Sequence, residues 1–154
     1  MGSYSFDTEL EEISLNGFQI VGNKYFGRVQ GATMSLQKRC VVFNTVAVKE
    51  LNNCEAIQIL INEKQKCVLI KPISSHDSDA IIWNKGKEKQ FSRLECSSFS
   101  KHLFDLWGLD VKLKYIADGR LVRVDNKVMM IFNFNNPIIY DGKKRLKEDY
   151  EDRN

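Results

Sequence analysis

Six basic side chains have the type and spacing to hold an anion. Lys85, Lys87, Lys89 and Arg93 fall in and after NKGKEKQFSR, with Trp83 and Phe91 interleaved, and Lys38-Arg39 stand together between two apolar segments. Lysine and arginine neutralise phosphates, and a flanking aromatic ring can stack on a base, each phosphate contact adding a salt-dependent increment to affinity. The same composition describes a solvated connection anchored to the core by Trp83, and at this point both readings stand. A third basic run, Lys143-Lys144-Arg145 with Lys147, is followed at once by Glu148, Asp149, Glu151 and Asp152. Adjacent blocks of opposite sign neutralise one another, so this run reads as a charged tail.

Other chemistries find little support. The four cysteines, Cys40, Cys54, Cys67 and Cys96, include no Cys-x-x-Cys pair, which a zinc site uses to bring two ligands together at low entropic cost. Three of them sit in apolar, strand-like contexts, where a reduced thiol packs as a small hydrophobe. Ser75-His76-Asp77 is contiguous, whereas the members of a nucleophilic triad converge from separated positions, and His102 has no serine or cysteine tied to it by spacing. Neither a glycine cradle for phosphates nor a His-Glu-x-x-His helix is present. The expectation is a protein that is not an enzyme and needs neither cofactor nor metal.

The net charge of +3, from 23 basic and 20 acidic side chains, is smaller than a dedicated non-specific nucleic-acid binder carries. Its distribution is more telling. Acidic residues gather near the start (Asp7, Glu9, Glu11, Glu12) and the end, leaving the middle as the anion-facing region. At 154 residues and 43% apolar, the chain can bury one respectable core. No apolar run approaches the roughly 18 residues needed to cross a bilayer, so a cytoplasmic protein without a membrane partner is expected.

These side chains must be positioned by an order of elements that occurs twice. Cys40 to Pro72 reads as strand (Cys40–Phe43), short helix (Val46–Leu51), strand (Ala56–Ile61), polar turn and strand (Cys67–Ile70). Asn44 or Thr45 caps the helix, and Asn52-Asn53 ends it in the left-handed conformation that asparagine tolerates. From Gln90 to Phe134 the order recurs: a strand, a helix capped by Ser97 or Ser98 with Phe99, Leu103, Leu106 and Trp107 on one face, a stop at Gly108, then a hairpin. Asp118-Gly119 is the strongest turn signal in the chain, with Leu121–Val124 as its return and Val128–Phe134 as an additional strand. Upstream, Phe18–Val21 and Tyr25–Val29 flank Gly22-Asn23 and read as a hairpin covering one edge of the sheet.

The fold class expected is therefore α+β, mainly β: a pseudo-symmetric barrel or sheet built from two strand-helix-hairpin repeats with an N-terminal β-hairpin. Its parts are an arm and hairpin (1–36), the first repeat (37–73), a polar and basic linker (74–89), the second repeat (90–140) and a charged tail (141–154), together one compact domain.

VVFNTVAVKELNNCEAIQILINEKQKCVLIKP and, more loosely, CSSFSKHLFDLWGLDVKLKYIADGRLVRV resemble the AbrB-like swapped-hairpin domains, and the tandem arrangement is similar to that of the MraZ proteins. About half the chain is covered. The resemblance implies an interlocked barrel, formed within one chain or between two, that binds DNA through basic strand and loop residues, here Lys38 and Arg39. FQIVGNKYF, IQILINEKQKCVLIKP and FSKHLFDLWG also resemble proteins carried by bacterial mobile elements. The functional expectation is a DNA-binding regulator, monomeric or homodimeric, of phage or mobile-element origin, contacting phosphates through Lys38, Arg39, Lys85, Lys87, Lys89 and Arg93. The alternative is an inhibitor from the same setting, of the anti-defence or anti-CRISPR type, that covers a host protein complex.

Overall fold

The computed structural model describes residues 10–21, 31–84 and 90–146. Its elements are β1 (Thr33–Leu36), β2 (Cys40–Phe43), α1 (Thr45–Glu50), β3 (Ala56–Asn62), β4 (Cys67–Ile73), β5 (Ile81–Ile82), β6 (Ser92–Glu95), α2 (Ser97–Trp107), β7 (Lys114–Val124), β8 (Lys127–Asn133), β9 (Ile138–Asp141) and β10 (Lys144–Arg145). Strand accounts for 42% and helix for 14% of the described residues, so the protein is mainly β. The strands form one antiparallel sheet in the order β5-β3-β4-β8-β7-β1-β2-β6, with β9 beside β7 and β10 beside β9. The sheet curls into a half-barrel.

Alternation decides which face is interior. In β4 and β8 the register sets Val68 opposite Phe132 and Ile70 opposite Met130, and all four are fully buried. Their sequence neighbours Leu69 and Ile131, also opposite each other, point the other way and stay half-exposed. Inside the curl, Phe43 meets Trp83 edge-on at 5.1 Å between ring centroids and Phe132 at 5.6 Å. Phe104 of α2 meets Tyr115 of β7 at 5.9 Å. Burying each such ring stabilises the fold by roughly 1.5–3 kcal/mol before packing geometry is counted.

The helices begin and end by different means. Asn44 Oδ1 accepts from the Ala47 amide at 3.0 Å, capping α1, and accepts also from the Thr33 amide, while its Nδ2 donates to the Gly31 carbonyl at 2.7 Å. One side chain thus ties the helix start to the entry of β1. Asn52 and Asn53 follow with φ of 58° and 52°, the left-handed exit expected of them. At α2 the N-cap is Cys96, without a side-chain cap bond, in place of the expected Ser97 or Ser98. Ser97 and Ser98 already lie in the first turn, one and two residues too late to accept from it. Gly108 closes α2 at φ 63°.

Several expectations are corrected. Asp118-Gly119 makes no turn but lies within β7, which runs unbroken from Lys114 to Val124. The sequence also places a turn at Asp125-Asn126-Lys127, and that is where the hairpin bends, with φ 49° and 65° at Asp125 and Asn126, so β8 is the return strand rather than an addition. Tertiary pairing overrides the Asp-Gly signal: Thr33 and Ala32 of the β1 side pair across Asp118 and Gly119, and a Cβ on Gly119 would stand 2.4 Å from Phe132 Cε1. The glycine is there for close approach, not for bending. Residues 18–21 form no strand, Phe18 instead closing a turn onto the Leu15 carbonyl, and the expected return strand 25–29 lies outside the described residues.

The expected segment boundaries also cut across elements. β1 pairs with β2, so the sheet starts before residue 37. The segment taken as linker contributes β5 and the buried Trp83, whose Nε1 donates to the Cys54 carbonyl at 2.7 Å. Lys144 and Arg145, assigned to a tail, form β10.

Candidate functional site

Three lysines from separate parts of the chain converge on one shallow depression of about 270 Å³: Lys38, Lys112 and Lys114, with Gln37, Val111, Leu113 and Gly142 completing its lining. Lys38 is in the three-residue β1–β2 turn, which is held shut where the Gln37 amide donates to the Cys40 carbonyl. Lys112 is in the loop before β7. That loop is fixed from beneath, because the Asp110 amide donates to the hydroxyl of the buried Tyr115 and the Lys112 amide donates to Asp110 Oδ1, each at 2.9 Å. Lys114 begins β7, opposite Tyr140, and its Nζ lies 5.1 Å from the centre of that ring.

Gly142 opens the β9–β10 turn, and Lys143, Lys144 and Arg145 follow it, all exposed. Arg145 is opposite Tyr140, which is itself opposite Lys114, so one row across three strands carries a cation on either side of an aromatic ring. Arg39, exposed beside Lys38, holds the start of α2 through its backbone, its carbonyl accepting from the Cys96 amide at 2.8 Å. None of these cations forms an ion pair with another described residue, and Asp110 and Asp141 are the acids in the neighbouring segments. An excess of positive charge over a rigid strand end attracts anions, even with Asp141 opposite Lys144.

Of the six residues singled out in the sequence, Lys38 and Arg39 belong to this surface. Arg93 does not: it is on β6, opposite Val42, and its Nε donates to Glu95 Oε1 at 3.1 Å. That hydrogen bond raises its pKa, holding the charge more firmly while neutralising it locally. Lys85, Lys87 and Lys89 lie outside the described residues. Lys112, Lys114 and the β10 pair were missed as a site because the sequence separates them. The available signal was two lysines two apart at the boundary between a loop and a strand, Lys112 in the turn and Lys114 opening β7.

A second concavity, of about 610 Å³, opens where the two ends of the strand order face each other. Val41, Ile59, Ile81, Ile82, Leu94 and Phe99 give it an apolar lining, with Arg93, Glu95 and Cys96 at its margin. The cysteines are all free, and burial pushes the thiols of Cys40 and Cys54 above the ordinary range. Among the described residues no group of three His, Cys, Asp or Glu side chains could hold a metal, and no helix is long and apolar enough to cross a membrane.

No family model matches the chain, and no curated protein or solved structure matches it either.

Proposed function

We propose that the protein is a DNA-binding regulator of phage or mobile-element origin, engaging phosphates at the surface formed by the β1–β2 turn, the start of β7 and the β9–β10 turn. The observation that carries this reading is the convergence of Lys38, Lys112 and Lys114 on one depression, flanked by Lys144 and Arg145 and free of ion pairs among the described residues. Its dimensions suit a backbone phosphate rather than a buried base, so affinity arises mainly from charge and register from the spacing of the cations.

The topology supports the same reading. Strand, strand, helix, strand, strand occurs twice in succession, β1-β2-α1-β3-β4 and β5-β6-α2-β7-β8, and exchanging the two runs leaves the circular order of the strands unchanged. We read this as an internal pseudo-twofold, the single-chain form of the swapped-hairpin barrel that the sequence resembles. One observation favours the inhibitor reading, namely that β3 presents an uncharged outer edge at Gln58–Asn62 suited to a protein strand.

Salt separates the two. Retention of random duplex DNA in a gel shift should fall steeply between 50 and 200 mM salt. Lys38→Glu with Lys112→Glu, both exposed, should weaken it by about tenfold or more and flatten the log-log salt dependence by roughly two units, without lowering thermal stability. Absence of retention at low salt, or a variant that binds as the parent does, overturns the proposal. Salt-tolerant association with a host protein supports the inhibitor instead.

A further inference from the structure

The half-barrel has two unfinished edges. β5 pairs with β3 only at Ala56 and Ile57, so from Gln58 to Asn62 β3 has a partner on the β4 side alone among the described residues. β6 at the other end pairs, among the described residues, with β2 alone. Between these edges lies the apolar cavity of about 610 Å³, and beside it one of about 210 Å³ lined in part by Ile82, Trp83 and Ser92. Ser92 Oγ is buried without a hydrogen-bond partner among the described residues. An open edge exposes backbone donors and acceptors, and natural sheets shield such edges with charge, proline or a bulge. The exposed run of β3, Gln58-Ile59-Leu60-Ile61-Asn62, contains neither charge nor proline.

The same chain carries a segment with the complementary deficiency. In residues 10–21, Leu10, Ile13, Leu15, Phe18, Ile20 and Val21 are all exposed, Ile20 at 99%. Single exposed hydrophobics need no explanation, but six within one short stretch that joins no element do. Phe18-Gln19-Ile20-Val21 has strand propensity, and in extended form Phe18 and Ile20 share a face. Its four residues match the four of β6.

We infer that the seam between β3/β5 and β6 receives the Phe18–Val21 segment of a second copy of this chain, as an added strand. Backbone hydrogen bonds to β6 give the segment its register, and Phe18 and Ile20 enter the cavity against Ile59, Ile81, Leu94 and Phe99. The occupant is a second copy because within a single chain residues 10–21 pack on nothing among the described residues and are exposed throughout, while each copy offers both the seam and the segment. Reciprocal exchange satisfies both deficiencies twice and closes on a twofold, giving a dimer rather than an open fibre.

The intact chain tests this without unfolding it. At micromolar concentration, sedimentation equilibrium should give twice the 17.8 kDa chain mass, and Phe18→Asp with Ile20→Asp, both exposed in the single chain, should give the monomer mass at unchanged thermal stability of the separated chains. Ile20→Cys, mildly oxidised, should form a disulfide-linked dimer with the native Cys96 at the margin of the cavity, lost in Cys96→Ala. A wild-type monomer throughout, a disulfide closed within one chain, or a linked dimer that persists without Cys96 each overturns the inference.

Discussion

The β1–β2 hairpin and the β5–β6 seam occupy corresponding places in the two runs of elements, and they differ in whether they close. In the first, Gln37, Lys38 and Arg39 span the gap and the strands pair from Leu36–Val41 to Met34–Phe43. In the second, residues 83–91 intervene in sequence, β5 pairs with β3, and an apolar cavity is lined by both β5 and β6. A three-residue turn holds its strands in register at small entropic cost, whereas a longer connection leaves pairing to be decided by other contacts. The closed site carries the exposed cations and the open one the apolar lining. A tight turn holds charges in fixed positions, and an open edge offers area and backbone groups to another chain.

Phe43 joins the two regions, and its removal should have the largest effect. It lies on the closed hairpin yet contacts Trp83 from the open side and Phe132 from the opposite strands. Phe43→Ala should destabilise the fold by about 3–5 kcal/mol in chemical denaturation, with one cooperative transition because both regions share its cavity. Two separate transitions would mean that the regions are independent units.

The helix caps that follow the two sites sharpen the contrast. Asn44 serves the α1 start and the entry to β1 at once, so Asn44→Ala should cost about 1–2 kcal/mol. Cys96 makes no side-chain cap bond, and its thiol meets the buried Ser100 hydroxyl at 3.6 Å, so Cys96→Ala should cost less than Asn44→Ala, about 1 kcal/mol or below. Equal effects would show that the side-chain cap is not what distinguishes them.

The smallest effect concerns pH. Cys40, whose thiol is pushed up by burial despite the opposing Arg93, and Cys54, pushed up by burial against its contact with Trp83, keep their protons in the fold after the unfolded chain has released them. The folded state then binds more protons, and stability should decline as pH rises above the ordinary thiol range near 8.5. Replacing both with alanine should remove that part of the decline in denaturation midpoints measured from pH 7.5 to 10.

Local signals were read correctly where local physics decided the outcome. Cys40–Phe43, the Asn44 cap, the Asn52-Asn53 exit, the Asn62–Lys66 turn and Gly108 all depend on residues within a few positions of each other, and each is where the sequence placed it. Asp118-Gly119 was misread because its conformation is imposed by β1 and Phe132, distant in sequence. The candidate site was half legible for the same reason. Lys38-Arg39 is one turn, but its union with Lys112, Lys114 and β10 depends on β7 pairing with β1 on one side and β9 on the other.

The place of β7 also bears on synthesis. Leu36 waits for Tyr115, and β8 and β9, which pair with β7, are made still later, so a nascent chain holding only β1 to β4 lacks the two strands, β7 and β8, that join its hairpins. The sheet can be completed only after nearly all of it has left the ribosome, and until then the apolar strands β3 and β4 depend on dilution or a chaperone to remain unaggregated.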